Sequence, residues 1–233
     1  MLTLALESSA KAASAALFQD ETMLGLYFQN DGLTHSSTLL PMAEQLLKNT
    51  GHTLTELDRV AVSRGPGSFT GLRIGLATAK GLCWALEKPA VGVSTLEGMA
   101  YGGPAAEGAC LCCAMDARRQ QVYNALFEIR GGKPARLCPD RAISIAELEA
   151  ELISSQKNWI LLGDGAQLCY NTLNKEKINV HLAPEPLRLQ SARGIGLASL
   201  GMPGESADRL LPVYLRLSQA ERERQERMNA QRS

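Results

Sequence analysis

The sequence predicts an α/β protein made of two related lobes with a cleft between them. In each half of the chain, short apolar segments that predict strands come first, and segments with helical periodicity follow. Around residues 102–108 the composition turns to glycine, proline and alanine, which predicts a boundary. We therefore expect a first lobe over residues 1–103, a second lobe over 104–217 and a charged, flexible tail over 218–233.

Three short strands are predicted at the start of the first lobe. They are apolar or alternate apolar with polar residues, and small or acidic turns separate them. Because such short turns join neighbouring antiparallel strands, we expect an antiparallel meander. Two buried strands and a helix rich in small residues complete this lobe. The strands are predicted over residues 2–6, 13–18, 24–29, 59–63 and 90–94, and that helix over residues 72–86.

Another helix is predicted over residues 36–48, because its apolar residues recur three and four positions apart. Pro41 lies inside this pattern and lacks the N–H group that a helix interior uses. Since proline is tolerated in the first turn, a helix that starts at Leu39 or Leu40 is an alternative.

The second lobe shows the same succession of strands and helices. Ser144 and Glu147 have the spacing of a capping box, so a helix is expected to start there and continue to Ser154. Ser191 is of the residue type that caps a short helix. The other predicted elements are strands over 109–115, 121–129 and 159–162, a turn over 131–133, helices over 163–173 and 191–200, and an extended segment over 212–216.

Charge and apolar runs limit the classes of function. Lys plus Arg and Asp plus Glu number 24 each, so no overall positive field exists to hold a nucleic-acid backbone. The apolar start of the chain meets Glu7 without a basic segment, unlike a signal peptide. No apolar run approaches the ~20 residues that cross a bilayer. We expect a cytoplasmic protein without membrane contact.

The cysteines predict neither disulfides nor a zinc site. Cys110, Cys112 and Cys113 lie in one predicted strand, where alternation sends Cys113 to the opposite face from the other two. That arrangement suits chelation poorly. We therefore expect structural or incidental thiols.

The segment from Arg64 to Gly75 is the most constrained, because three glycines lie between a predicted strand and a predicted helix. Two interpretations stay open. Backbone N–H groups at a helix start attract phosphate, but Leu72 follows Gly71 where a phosphate-binding loop needs lysine and a hydroxyl residue. A tight packing turn is therefore the favoured alternative.

Small residues form a ridge along the following helix. Gly71, Gly75, Ala79 and Cys83 are four positions apart and therefore lie on one face. Such a ridge lets another helix approach closely, either the first helix of the same chain or a helix of another subunit. We expect the ridge to face outward, so that the isolated chain forms a homodimer that Gly75→Arg would abolish.

The first hundred residues, with the segment from Gly65 to Gly81 at their centre, resemble the TsaB (YeaZ) family of bacterial tRNA threonylcarbamoyladenosine biosynthesis. Weaker similarity continues in residues 116–119, 163–165 and 212–216. The resemblance implies an actin-like, hexokinase-like (ASKHA) fold with two related lobes. It also implies pairing with a catalytic paralogue, TsaD, assisted by an ATPase, TsaE, with tRNA bound through the complex.

The resemblance further implies that two helices, over residues 35–48 and 71–86, assemble into a bundle between subunits. No catalytic residue is expected in this chain. The subunit-interface residues that the resemblance indicates are His35, Leu39, Leu40, Ala43, Leu46, Leu47, Gly71, Arg73, Gly75, Ala79 and Cys83.

The catalytic paralogue carries two histidines four residues apart that bind its metal, in the motif His-Leu-Glu-Gly-His. This chain has Thr95 and Met99 at those positions, and neither supplies an imidazole. His35, His52 and His181 are too far apart in sequence to suggest a replacement. We expect no metal here and no tightly bound cofactor, with ATP and metal on the partner subunits.

A vestigial nucleotide site is expected at Glu7, Ser8 and Ser9, where actin-like enzymes hold a metal-phosphate group. The usual acidic residue there is aspartate, and the longer glutamate weakens a phosphate grip.

Two functions stay open. The first is a non-catalytic scaffold required for threonylcarbamoyladenosine formation at position 37 of tRNAs that read codons starting with A. The alternative is a stand-alone ATP-dependent enzyme, for which the candidate carboxylates are Glu7, Asp116 and Asp164, with Arg118 and Arg119 able to neutralise Asp116. A peptidase lacks any suitable constellation.

Overall fold

The computed structural model describes residues 1–32 and 34–216. The first sheet has five strands in the order β3-β2-β1-β4-β5. The first three strands are antiparallel, as predicted, and the other two run parallel to the central strand. These strands are β1 (Leu2–Glu7), β2 (Ala13–Gln19), β3 (Thr22–Gln29), β4 (Arg59–Gly65) and β5 (Ala90–Ser94).

The second sheet repeats this plan. Its order is β11-β10-β6-β7-β8, with an additional strand, β9, paired to β7. The repetition confirms the two related α/β units. Three of its strands were not predicted, because they are only three or four residues long. The strands are β6 (Cys110–Asp116), β7 (Gln121–Arg130), β8 (Lys133–Arg136), β9 (Arg141–Ser144), β10 (Trp159–Leu162) and β11 (Val180–Leu182).

Seven α-helices lie within the described residues. The first begins at His35, so Pro41 is inside it, with its ring exposed, and the alternative start at Leu39 or Leu40 is wrong. No helix described here is long and apolar enough to cross a membrane. The helices are α1 (His35–Thr50), α2 (Phe69–Leu86), α3 (Thr95–Gly102), α4 (Ile145–Ser155), α5 (Ala166–Thr172), α6 (Glu185–Arg188) and α7 (Ala192–Ser199).

Helix α7 returns to the first sheet. Its apolar residues Ala192, Ile195 and Ala198 are buried with Phe18 in one core cluster of that sheet. The close packing requires Gly196, because a Cβ there would overlap the Phe18 ring. We expected the second lobe to cover residues 104–217. Residues 192–210 pack on the first lobe instead, so the prediction is wrong for that segment. The predicted tail, 218–233, lies outside the described residues.

The cysteine side chains pack as small apolar groups. Cys110 and Cys112 lie in one core cluster and Cys113 in another, as the strand alternation predicts. Burial raises the pKa of Cys83 to about 11 and that of Cys169 to about 12, so these thiols stay protonated at neutral pH. All six cysteines are free.

The capping box at the start of α4 gives a direct test of the predicted local structure. The Ser144 hydroxyl accepts a hydrogen bond from the Glu147 N–H at 3.2 Å, and the Glu147 carboxylate accepts one from the Ser144 N–H at 3.0 Å. We expect Ser144→Ala to lower the free energy of unfolding by about 1 kcal/mol, measured by urea denaturation. Ser154→Ala at the other end of the helix is the control, and an equal loss there would contradict the capping role.

Candidate functional site

The glycine-rich junction between β4 and α2 packs against the turn that follows β1. The Ser68 N–H donates to the Ser9 carbonyl at 2.7 Å, and a Cβ on Gly67 would lie 2.6 Å from that same oxygen. A Cβ on Gly71 would overlap the Ser8 carbonyl. These contacts confirm a tight packing turn. The first turn of α2 is pressed against backbone here, so close packing accounts for the glycines.

The small-residue ridge of α2 faces the inside of its own lobe. The Ser8 hydroxyl donates to the Gly71 carbonyl at 2.9 Å and leaves no room for a Cβ on Gly75. Ala79 and Cys83 are buried in the core cluster beneath β1 and β4. The expectation of an outward-facing ridge is therefore wrong, and the homodimer that was inferred from it loses that support.

Most of the expected interface residues on α1 are also core residues. Leu40 and His35 are the exceptions, and Leu40 has an exposed fraction of 39%. His35 is half-buried, and its Nε2 lies 2.7 Å from the Ala10 carbonyl oxygen. On α2, Arg73 is exposed. The buried members of the α1 set are Leu39, Ala43, Leu46 and Leu47.

The Glu7 carboxyl is buried and is not among the groups that line the cleft. The Ser9 N–H donates to its Oε1 at 2.6 Å, while its Oε2 has no hydrogen-bond partner among the described residues. Complete burial raises the pKa of Glu7, because the interior disfavours the charged form. Of the expected vestigial nucleotide site, only Ser9 lines the cleft.

A cleft of about 700 Å³ opens between the two sheets, where the sequence predicts it. Its carboxyl groups are already engaged. Asp116 accepts from the Arg118 N–H at 2.7 Å, and Asp164 accepts from the Gln190 amide at 2.8 Å, while burial raises the pKa of Asp164. Residues around the cleft include Ser9, Ala10, Lys11, Asn30, Phe69, Thr70, Tyr123 and Arg216.

Several cleft residues were not found by sequence reasoning. Lys11, Gln190 and Arg216 are isolated along the chain, and only folding brings them to one cavity. Gln190 immediately precedes Ser191, which caps α7, so the start of that helix positions the Gln190 side chain. The cap predicted at Ser191 was the one signal in the sequence that could have indicated the position of Gln190.

Helix α3 carries Thr95 and Met99, the two positions that the resemblance compares with histidines. Thr95 is fully buried and Met99 is 3% exposed, one helical turn apart. Met99 packs in the core cluster of the second sheet. No group of three His, Cys, Asp or Glu side chains in the described ranges could hold a metal ion. Both side chains of α3 therefore contribute to the packing of the interior.

Similarity to known proteins decides the family. A model of the family described as TsaD, tRNA N6-adenosine threonylcarbamoyltransferase, matches residues 32–202. The tRNA threonylcarbamoyladenosine biosynthesis protein TsaB of Bacillus subtilis is 32% identical over 227 residues, 95% of this chain and 96% of that protein. The Escherichia coli TsaB protein is 40% identical over 129 residues, 55% of each chain. This chain belongs to the TsaB (YeaZ) family.

Solved structures agree with this assignment. A Pseudomonas aeruginosa protein described as similar to peptidase YeaZ has a TM-score of 0.78 at 27% identity, covering 92% of this chain and 99% of that one. YeaZ from the same organism has a TM-score of 0.76 at 26% identity, with the same coverage. Together with the repeated strand order, they confirm an α/β fold of two related lobes. The chain is a TsaB-family protein of tRNA threonylcarbamoyladenosine biosynthesis.

The buried Glu7 makes stability depend on pH in a defined direction. Its folded pKa lies above the usual 4.5, so its contribution to stability is complete below pH 4.5 and is lost as pH rises through the folded pKa. We expect Glu7→Gln, which resembles the neutral acid, to be more stable than the wild type at pH 7, measured by thermal unfolding across pH.

The control for this measurement is Glu147→Gln. Hydrogen bonds to Ser144 lower the pKa of Glu147, so that carboxylate contributes stability that is lost as pH falls. The two variants should therefore change the pH dependence in opposite directions. A Glu7→Gln protein that is less stable than the wild type at pH 7 would show that the folded TsaB chain uses a charged Glu7.

Two glycines of α2 form a matched pair for testing the packing of the junction. Gly75→Ala should destabilise the fold by about 2 kcal/mol or more, because its Cβ overlaps Ser8. Gly81→Ala has no atom within 4 Å of the new Cβ and should stabilise α2 by up to about 1 kcal/mol. Chemical denaturation measures both. Equal effects would contradict the packing described, and Gly75→Arg should unfold the lobe.

Proposed function

We propose that this chain is the non-catalytic subunit that binds a TsaD-like catalytic paralogue and is required for threonylcarbamoyladenosine formation at position 37 of tRNAs that read codons starting with A. The single observation that carries the proposal is the burial of Thr95 and Met99 in the core. At these positions the paralogue needs imidazoles around an open metal site. A subunit that has replaced them with packing contributes to the reaction through assembly.

The proposal places the cofactors on the partners. ATP is expected on a TsaE-like ATPase, and the metal on the paralogue. Equal numbers of acidic and basic residues support tRNA binding through the complex and not by this chain alone. The complex would form in the cytoplasm.

The exposed face of α1 and α2 is the proposed contact with the paralogue. Leu40 is 39% exposed and Trp84 is 58% exposed, and Arg73 lies on the same pair of helices. Exposed large apolar side chains favour association, and tryptophan and arginine are frequent interface anchors. In isolation the same face would support a weaker homodimer.

A stand-alone ATP-dependent enzyme is less well supported. The cleft has a suitable volume, but Asp116 is paired with Arg118 and Asp164 with Gln190, and the buried Glu7 does not line it. A magnesium-nucleotide complex needs free oxygen ligands at that place. The scaffold therefore remains the proposed function.

Reconstitution with purified components tests the proposal. We expect threonylcarbamoyl transfer to tRNA by the paralogue and the ATPase to fall to background when this chain is omitted, and the chain alone to show no turnover. The measurement is transfer of the labelled threonylcarbamoyl group to tRNA from a preformed, activated threonylcarbamoyl donor, in the presence of magnesium-ATP. Leu40→Glu should weaken the complex with the paralogue by at least about tenfold and lower the yield at limiting concentration.

Leu137→Glu is the control, because Leu137 is similarly exposed, at 40%, but lies in the second lobe. It should leave the complex unchanged. Full product formation without this chain would refute the proposed role, and turnover by the chain alone would establish the enzymatic alternative.

A further inference from the structure

Residues 210–216, here called the C-terminal strap, run from the first lobe to the second. At one end, Leu210 is buried in the core cluster beneath β1 and β4. At the other end, Leu215 packs against the core cluster of the second sheet, and the Arg216 guanidinium donates a hydrogen bond to the Ala117 carbonyl in the turn after β6. This short segment is therefore attached to both lobes.

The attachment to the first lobe is a set of close contacts with the junction between β4 and α2. The Val213 N–H donates to the Arg64 carbonyl at 2.7 Å, and a Cβ on Gly65 would overlap the Val213 carbonyl. The ring of Tyr214 stacks on that of Phe69 with centroids 4.3 Å apart and an angle of 17° between their planes. The strap is therefore held against the first turn of α2.

The strap also borders the cleft between the lobes. Phe69, on which Tyr214 stacks, lines the cleft from the first lobe, and Ala117 lines it from the second. Arg216 lines the same cleft. A movement that separated Phe69 from Ala117 would therefore have to break either the ring stack at one end of the strap or the hydrogen bond at the other.

These contacts can break while both lobes stay folded. Among residues 210–216 only Leu210 is buried. Leu211 is 62% exposed, and Val213 and Tyr214 are exposed by 37% and 36%. A segment with few buried contacts and with hydrogen bonds near the solvent opens locally at a lower free energy than strands inside a sheet. The strap is therefore suited to detach and reattach.

We propose that the C-terminal strap is a clasp between the lobes that sets how far the cleft opens. While Tyr214 lies on Phe69 and Arg216 is bonded to Ala117, the two walls of the cleft keep their present separation. When either attachment breaks, the chain connections that remain are those after α3 and before α7, and the lobes can rotate apart about them. The inference concerns motion within one chain, so it does not depend on which partner the chain binds.

Two substitutions release the strap at opposite ends. Arg216→Ala removes the hydrogen bond to Ala117 in the second lobe. Tyr214→Ala removes the stack on Phe69 and the hydrogen bond that the Arg73 Nε donates to the Tyr214 hydroxyl at 3.1 Å. Because a hydrogen bond from a charged donor is worth about a factor of ten or more in an equilibrium, we expect each variant to raise the open population at least about tenfold.

The opening is measured as a distance between the lobes by pulsed electron paramagnetic resonance. Spin labels are attached to Glu21→Cys, in the exposed β2–β3 turn, and to Lys133→Cys, at the exposed start of β8. Cys138→Ser removes the one native cysteine that is not buried. Dilution with unlabelled protein ensures that only distances within one chain count. Both strap variants should broaden the distance distribution relative to the wild type, while their thermal unfolding shows that they are folded.

Arg209→Ala is the control, because Arg209 is exposed and immediately precedes the strap. It should give the distance distribution of the wild type. Broadening in both strap variants and not in the control supports the clasp. Unchanged distances in the strap variants, broadening in only one of them, or equal broadening in the control would overturn it, because a link fails when either end is released. If Tyr214→Ala does not fold, Arg216→Ala decides alone, since it removes a single hydrogen bond.

Discussion

The docking of α2 onto the turn after β1 is the contact on which the rest of the structure depends. Gly67, Gly71 and Gly75 bring the junction and helix within van der Waals distance of Ser8 and Ser9. That approach covers β1 and β4 and places the outer face of α2 beside α1. It also places the first turn of α2 at the edge of the cleft, where Phe69 and Thr70 line it.

Two other positions that the sequence singles out also serve packing. The Glu7 carboxyl accepts a hydrogen bond from the Ser9 N–H and is enclosed by protein. Thr95 and Met99 are buried on the interior side of α3. Both positions therefore lie inside the protein.

Sequence reasoning found the elements with strong periodicity and the local signals that act over a few residues. The meander, both long helices and the capping box of Ser144 are of this kind. It failed where contacts between residues far apart in the sequence determine how an element packs. Which side of α2 faces inward depends on Ser8, which is 63 residues away in sequence from Gly71. Helix α7 packs on the first sheet through close contact between Gly196 and Phe18. These two residues are far apart in the sequence, so no local pattern indicates that they touch.

The return of α7 has a consequence for motion between the lobes. The chain passes from the first sheet to the second after α3 and returns to the first sheet before α7. It reaches the second sheet again within residues 210–216, where the Arg216 guanidinium donates a hydrogen bond to the Ala117 carbonyl. Three connections that cross one boundary resist the hinge rotation by which two-lobed enzymes close on a ligand. A rotation of one lobe relative to the other would therefore have to move all three connections together.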